Sequence, residues 1–173
     1  PIWPKQKTPY FIRGAETWTM GTWRRGWGNF NADGMALLRE IDQGKLNGRF
    51  SQDGFGFHKM LRQQVAGEID SWGVRWWASA FVKDMYCLYP NETLCVSIGY
   101  GEESVHCHNY NFVFRLSEDL AKEPISYFPD VVRQEVVVTL LLRLMNLKLR
   151  CSGMFMRITK LGRNFLKTIS CTR

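Results

Sequence analysis

The chain has little that would build a local metal site, a disulfide framework or a membrane span. Its five cysteines include no Cys-x-x-Cys pair, so neither a zinc site nor a disulfide pattern is encoded locally, and we expect a reducing, cytoplasmic compartment. The most apolar run, 136–142, is stopped by Arg143, well short of the ~20 residues that span a bilayer. There is no basic-then-apolar leader, and the start at Pro1 predicts a fragment of a longer protein.

The composition indicates one globular domain with many aromatic rings. A chain of 173 residues buries roughly 70% of its unfolded surface. Hydrophobic residues make up 45% and charged residues 23%, which excludes a disordered chain. Seven Trp and eleven Phe exceed what packing usually needs. They are typical either of core bulk or of the flat aromatic faces that carbohydrate sites place against sugar rings.

The net charge of +7 implies an anionic partner or surface. Beyond Arg133 the chain has one acid, Glu135, so the excess is a C-terminal property. Residues 143–173 mix cations with apolar residues on a helix-like period. This pattern predicts either an interfacial helix on an inner membrane leaflet or a C-terminal helix packed on the domain with a solvated basic face. No nucleic-acid motif is recognisable.

The sequence predicts mostly helices, with a few short strands. Hydrophobic spacing and turn residues predict strands at 10–13 and 112–116, and two short strands or a ragged hairpin at 85–89 and 94–98. They predict helices within 19–27, from an opening at 31–34 to a stop at Gly44, at 57–65 and 72–83, and from 130 to about 149. The helix that follows Asp70 and Ser71 is apolar nearly all round, which predicts burial. No strand-helix-strand alternation is present, so we predict an α+β fold without an open parallel sheet.

Four segments between Tyr10 and Cys107 carry a family resemblance. Residues 11–27 resemble the F-x-R-G-x-x-x-W-x-x-x-T-W-x-x-x-W signature of a bacterial group of family-2-like glycosyltransferases. The stretches 53–61 (DGFGFHKML), 67–79 (GEIDSWGVRWWAS) and 88–107, from LYPNETL to IGYGEESVHC, resemble the same group in the same order. Four such stretches in order across nearly a hundred residues make the resemblance specific.

The resemblance implies the acceptor half of a GT-A-type enzyme that acts in surface polysaccharide synthesis. Residues 1–129 would be the acceptor-binding and catalytic part, and 130–173 a helical basic extension. The nucleotide-sugar half of such enzymes supplies an Asp-x-Asp that holds Mn²⁺ or Mg²⁺ against the diphosphate, and no Asp-x-Asp occurs in these residues. We therefore expect a divalent metal in the full-length enzyme, and no complete reaction from this polypeptide alone.

Two residues at the start of the 72–83 helix are candidates for catalysis. Inverting sugar transfer needs a carboxylate that takes the proton of the acceptor hydroxyl. Asp70 occupies that position by resemblance, and Glu68 is the substitute. Asp70 is equally suited to capping the helix through the Trp72 or Gly73 amide. Arg75 either holds a phosphate, orients Asp70 or forms a purely structural ion pair.

The remaining candidates concern substrate and metal binding. By resemblance His106 is a metal ligand, and Glu102 and Glu103 bind acceptor hydroxyls; an ordinary polar loop is the alternative for all three. The predicted acceptor platform consists of Trp18, Trp23 and Trp27, with Arg24 and Arg25 as cations for phosphate. Trp72 and Arg75 are further predicted substrate-binding residues. For the tryptophans of 18–27, packing against the other half of the enzyme is the alternative.

Other classes of function stay open beside the transferase. A non-catalytic carbohydrate- or partner-binding module would keep the aromatic surface without the nucleotide site. A basic peripheral membrane or nucleic-acid module would bind in a salt-dependent manner. A chain with so many aromatic residues is also expected to expose an apolar face and form a homodimer.

Overall fold

A computed structural model describes residues 8–15, 17, 19–51, 56–95, 120–141 and 143–144. Its elements follow in the order β1 (Tyr10–Arg13), α1 (Arg24–Trp27), α2 (Gly34–Gln43), α3 (Asn47–Phe50), α4 (Phe57–Val65), α5 (Trp72–Val82) and β2 (Tyr86–Tyr89). A further helix, α6, covers 136–141 and 143–144. The predicted mixture of helices and short strands is confirmed for these residues.

Helix α5 lies at the centre of the packing. It begins after Ser71, whose hydroxyl oxygen accepts a hydrogen bond from the Val74 amide at 3.3 Å. Val74 and the six residues of 76–81 are buried, so neighbouring elements cover the helix on most sides. The prediction of a buried helix is correct except in the first turn, where Trp72 is exposed.

Helices α2 and α4 pack on α5 and begin and end where the sequence predicts. Asp33 caps α2 by accepting from the Ala36 amide at 2.9 Å, and Gly44 follows its last residue. Helix α4 matches the predicted range 57–65. The main core formed by α2 to α5 contains the buried residues Leu37, Ile41, Phe50, Leu61, Val74, Trp77, Ala78 and Phe81.

The buried face of α2 differs from the predicted one. The spacing predicts Met35, Leu38 and Ile41 on one face. Met35 is exposed, and Leu37 is buried in its place. Leu37 and Ile41 are four residues apart and share a face, whereas Met35 lies about 200° around the helix from Leu37.

The two strands pair with each other over all four residues of each. β1 is antiparallel to β2, with Tyr10 opposite Tyr89 and Arg13 opposite Tyr86. In the predicted strand 94–98, Leu94 and Cys95 are not in a strand, and 96–98 lie outside the described residues. The predicted strand at 112–116 also lies outside them.

Helix α6 begins six residues later than predicted, because β1 uses the preceding backbone. Gln134 forms a parallel bridge with Phe11, and the Glu135 amide donates to the Phe11 carbonyl at 2.9 Å. Val138 then packs into the interior with no exposed surface. No helix in the described ranges is long and apolar enough to cross a membrane, and the rest of the predicted basic extension, from 145 on, lies outside them.

Gly14 ends β1 at a point where a side chain has no room. Its backbone has a φ of +102°, which disfavours residues other than glycine. Its amide donates to the Met85 carbonyl at 2.8 Å, which ties β1 to the segment before β2. A Cβ here would lie 2.7 Å from Cη2 of the buried Trp77 ring. The strand therefore reaches the helix layer only because residue 14 has no side chain.

We expect Gly14→Ala to lower the free energy of unfolding by roughly 2–4 kcal/mol, because both the backbone angle and the contact with Trp77 become unfavourable. Urea denaturation followed by tryptophan fluorescence measures this change. Gly21→Ala is the matched control, since its Cβ meets no atom within 4 Å, and it should change stability by less than about 0.5 kcal/mol. Equal stability of the two variants would contradict the proposed fit between Gly14 and Trp77.

Candidate functional site

A carboxylate and a guanidinium meet at the start of α5. The Asp70 side chain is 94% exposed, and its Oδ1 lies 3.4 Å from Nη2 of Arg75. Ser71 supplies the helix cap and Asp70 does not, so the capping role considered for Asp70 is wrong. An ion pair with one exposed partner contributes only about 0–1 kcal/mol. The pair therefore orients the two side chains more than it stabilises the fold.

Arg75 lines a cavity between the beginning of α2, the end of α4 and the first turn of α5. The cavity measures about 260 Å³ and is lined by Ala32, Asp33, Gly34, Met35, Gln64, Val65 and Arg75. The Arg75 side chain is 22% exposed, and its Nη1 is 3.5 Å from the Ala32 carbonyl oxygen. Its Nε is buried without a hydrogen-bond partner among the described residues. An unpaired buried donor is unfavourable, so the Arg75 guanidinium gains little from its described contacts.

Four aromatic rings form a continuous cluster on the same side of α5, which we call the indole cluster (Trp27, Phe30, Trp72 and Trp76). Trp27 stacks on Phe30 with ring centroids 5.0 Å apart. It also contacts Trp72 edge-on at 6.1 Å and Trp76 at 5.1 Å. Trp76 is buried, while Trp72 keeps 48% of its surface exposed. The cluster thus combines a buried ring, Trp76, with an accessible ring, Trp72.

The cluster and the Asp70–Arg75 pair belong to one surface because of helix geometry. Arg75 and Trp76 lie three and four positions after Trp72, so each of them neighbours Trp72 on the surface of α5. The exposed Trp72 therefore lies on the helix surface between the cluster and Arg75. A carboxylate, a cation and an apolar ring together can bind a polyhydroxylated molecule that has one apolar face.

Trp23 and its neighbours lie at the beginning of α1. Trp23 is 70% exposed, and the guanidinium of Arg25 lies 5.6 Å from the centre of its ring. This is a cation–π distance. Arg24, a predicted substrate-binding residue, is exposed on the same short helix.

Several predicted site residues lie outside the described part of the chain, and nothing tests their roles. They are Trp18, Glu102, Glu103 and His106. Within the described ranges no three His, Cys, Asp or Glu side chains are close enough to hold a metal. His58 and Asp42 form a pair at 2.7 Å, which is two ligands and not three. The metal expected from the resemblance therefore stays a prediction, and His106, its expected ligand, lies outside the described residues.

Two members of this surface were not predicted as site residues, Trp76 and Gln64, whereas Trp27 was predicted in the acceptor platform. The four-residue spacing of Trp72 and Trp76 is visible in the sequence and indicates one helix face. Nothing local indicates that Trp27 of α1 reaches that face. Gln64 matters because its side-chain oxygen accepts from the Ser71 amide, which attaches the end of α4 to the loop that carries Asp70.

We expect Ser71→Ala to lower the free energy of unfolding by about 1 kcal/mol, because the Val74 amide loses its acceptor. Asp70→Asn should change it by about 0.5 kcal/mol or less, since the carboxylate is solvated. Thermal and urea unfolding of both variants measure the difference. A larger loss for Asp70→Asn than for Ser71→Ala would show that Asp70 is the structural residue of the two.

Comparison with known proteins gives no relative of this chain from which a site could be transferred. No family model, curated protein or solved structure matches this chain. The glycosyltransferase resemblance rests on the four motif segments alone, and the geometry at the start of α5 has to carry its own chemical interpretation.

Proposed function

We propose that this chain is the acceptor-binding part of a nucleotide-sugar glycosyltransferase of GT-A type, with Asp70 as the general base. The observation that carries the proposal is the grouping of Asp70, Arg75 and the exposed ring of Trp72 at one end of α5. These residues belong to the third of the four motif segments. Trp27, from the first segment, supports the same surface through its contacts with Trp72 and Trp76.

The proposed reaction is a direct displacement at the anomeric carbon of the donor sugar. The carboxylate of Asp70 takes the proton of an acceptor hydroxyl while that oxygen bonds to the anomeric carbon. The bond between this carbon and the donor's phosphate oxygen breaks, and the nucleoside diphosphate leaves with the bonding electrons. A base must come within about 2.6–3.2 Å of the hydroxyl. The exposure of Asp70 leaves its second oxygen open to an acceptor.

Arg75 has two roles in this proposal. Its Nη2 faces Oδ1 of Asp70 and fixes the direction of the carboxylate. Arg75 lines the adjoining cavity, where its terminal N–H groups would supply donors for an acceptor hydroxyl or phosphate. Trp72, with Trp27 behind it, supplies an apolar face for a sugar ring. Mn²⁺ or Mg²⁺ would be held with the donor by the other half of the enzyme and by His106, where its charge would stabilise the leaving diphosphate.

We expect Asp70→Asn to lower the rate of sugar transfer at least 100-fold, because the amide cannot accept the proton. The assay measures nucleoside diphosphate release from UDP-, GDP- and dTDP-sugars with Mn²⁺ or Mg²⁺. It uses this chain and the longest natural polypeptide that contains it. Glu68→Gln is the matched control: Glu68 is also exposed, two residues away, and its contact is with Gln63 at 3.2 Å.

The outcomes separate the parts of this proposal. If Glu68→Gln abolishes transfer and Asp70→Asn does not, Glu68 is the base. If both variants keep the rate, neither carboxylate acts as the base, while the family assignment stands. If no donor is bound or turned over by the longer polypeptide, the transferase proposal itself is wrong.

A second candidate, a non-catalytic carbohydrate-binding module, is favoured by the exposed indole rings and by the lack of Asp-x-Asp in the chain. The surface of Trp72 and Arg75 would bind a glycan without any chemical step. This candidate predicts glycan binding by the 173-residue chain alone, with no transfer by any polypeptide that contains it.

We expect Trp72→Ala to weaken the binding of an oligosaccharide about tenfold, since an exposed central Trp is the type of residue whose truncation costs most in a binding surface. A glycan array finds the ligand and calorimetry measures the dissociation constant. Phe128→Ala, which removes another exposed ring away from α5, is the control and should leave binding unchanged. Equal loss in both variants would indicate non-specific adhesion to aromatic surface.

A further inference from the structure

A second, smaller cavity lies where β1, α3, α5 and α6 meet. It measures about 70 Å³ and is lined by Ile12, Arg13, Arg49, Trp77, Phe81, Gln134, Thr139 and Arg143. A single water molecule needs about 10–15 Å³ of such cavity volume. The cavity therefore has room for a group of a few heavy atoms and is too small for a nucleotide or a sugar chain.

This cavity is separate from the Asp70 surface. Trp77 lines it from α5, while Arg75 lines the other cavity. Two residues along a helix correspond to a rotation of about 200°. The two cavities consequently open on opposite faces of α5, and whatever fills one does not contact the other.

Three arginines from three different elements line this small volume, and none of the described residues around it is acidic. Arg13 on β1 forms an ion pair with Asp84, which does not line the cavity, and donates to the Tyr86 hydroxyl at 3.1 Å. Arg49 on α3 is exposed and has no carboxylate partner within the described ranges. Because no described lining residue is a carboxylate, the lining itself contains no charge that would repel an anion in the cavity.

Apolar side chains in the cavity wall strengthen the attraction between the arginines and an anion. The rings of Trp77 and Phe81 and the side chain of Ile12 form an apolar floor that is buried. Such low-dielectric walls concentrate the field of nearby charges. At the rim the amide of Gln134 donates to Oγ1 of Thr139 at 2.7 Å, and this pair adds polar groups beside the guanidinium groups.

We propose that this cavity binds a phosphate-class oxyanion, either free phosphate or pyrophosphate or the phosphate headgroup of a lipid. Arg13 uses two of its five N–H donors on Asp84 and Tyr86 and keeps the others for the ligand. Arg49 contributes a planar fork that matches two phosphate oxygens. The three arginines come from β1, α3 and α6, so a bound oxyanion joins the sheet to both helices. The site is independent of sugar transfer at Asp70.

Calorimetry of the chain with inorganic phosphate and with pyrophosphate, at matched ionic strength, tests the free anion. Flotation with phosphatidylcholine vesicles that contain phosphatidic acid tests the lipid source. We expect Arg49→Gln to raise the dissociation constant about tenfold or more, with Arg143→Gln giving a similar loss. Arg39→Gln removes the same charge from an exposed position on α2 and should leave binding unchanged.

Arg49-dependent binding of phosphate or pyrophosphate supports the site with a free ligand, and Arg49-dependent binding of the vesicles alone supports it with a lipid headgroup. The proposal is overturned if no probe binds, if Arg49→Gln leaves binding unchanged, or if Arg39→Gln weakens it equally. Failure here leaves the transferase proposal untouched, because that proposal is tested with Asp70 and Glu68.

Discussion

The buried indole of Trp77 is the contact on which the rest of the described fold depends. Its Nε1 donates to the Phe50 carbonyl at 3.1 Å, which fixes the end of α3. Its ring stacks on Phe57 of α4 at 4.6 Å and leaves Gly14 of the β1 end no space for a side chain. One side chain of α5 thus determines where two helices and the sheet lie. Because a buried indole N–H requires its acceptor, these positions are coupled.

Because Trp77 points into the core, Arg75, two residues earlier, lies on another face of α5. Arg75 is the one charged residue in the helix, and burial of its stem is unfavourable unless its N–H groups are paired. Asp70 at 3.4 Å and the Ala32 carbonyl at 3.5 Å are long, weak partners, and Nε has none in the described chain. Stability alone therefore gives no reason for an arginine here, whereas a ligand in the adjoining cavity would.

Short-range features of the fold were predictable, and long-range pairings were not. The Asp33 and Ser71 caps follow from side chains that accept from an amide three residues ahead, so the local sequence contains the whole cause. The ends of α4, which has no side-chain cap at its start, follow from the helical spacing of its apolar residues. The pairing of Tyr10 with Tyr89 and the contact of Trp27 with Trp72 join distant segments, and neither segment specifies its partner. The later start of α6 has the same cause. The Glu135 amide donates to the carbonyl of Phe11, a residue far away in the sequence, and the residues around 130 do not indicate this bond.

The motif residues divide into those that packing explains and those that it does not. Gly14 is needed beside Trp77, and the buried ring of Trp76 is needed beneath Trp27. These contacts account for much of two motif segments without any reference to catalysis. They do not account for an exposed carboxylate at Asp70 or for the open ring of Trp72, since neither contributes appreciably to the core. A residue that the fold does not require is where a functional explanation adds most, and in the described chain that residue is Asp70, held beside Arg75.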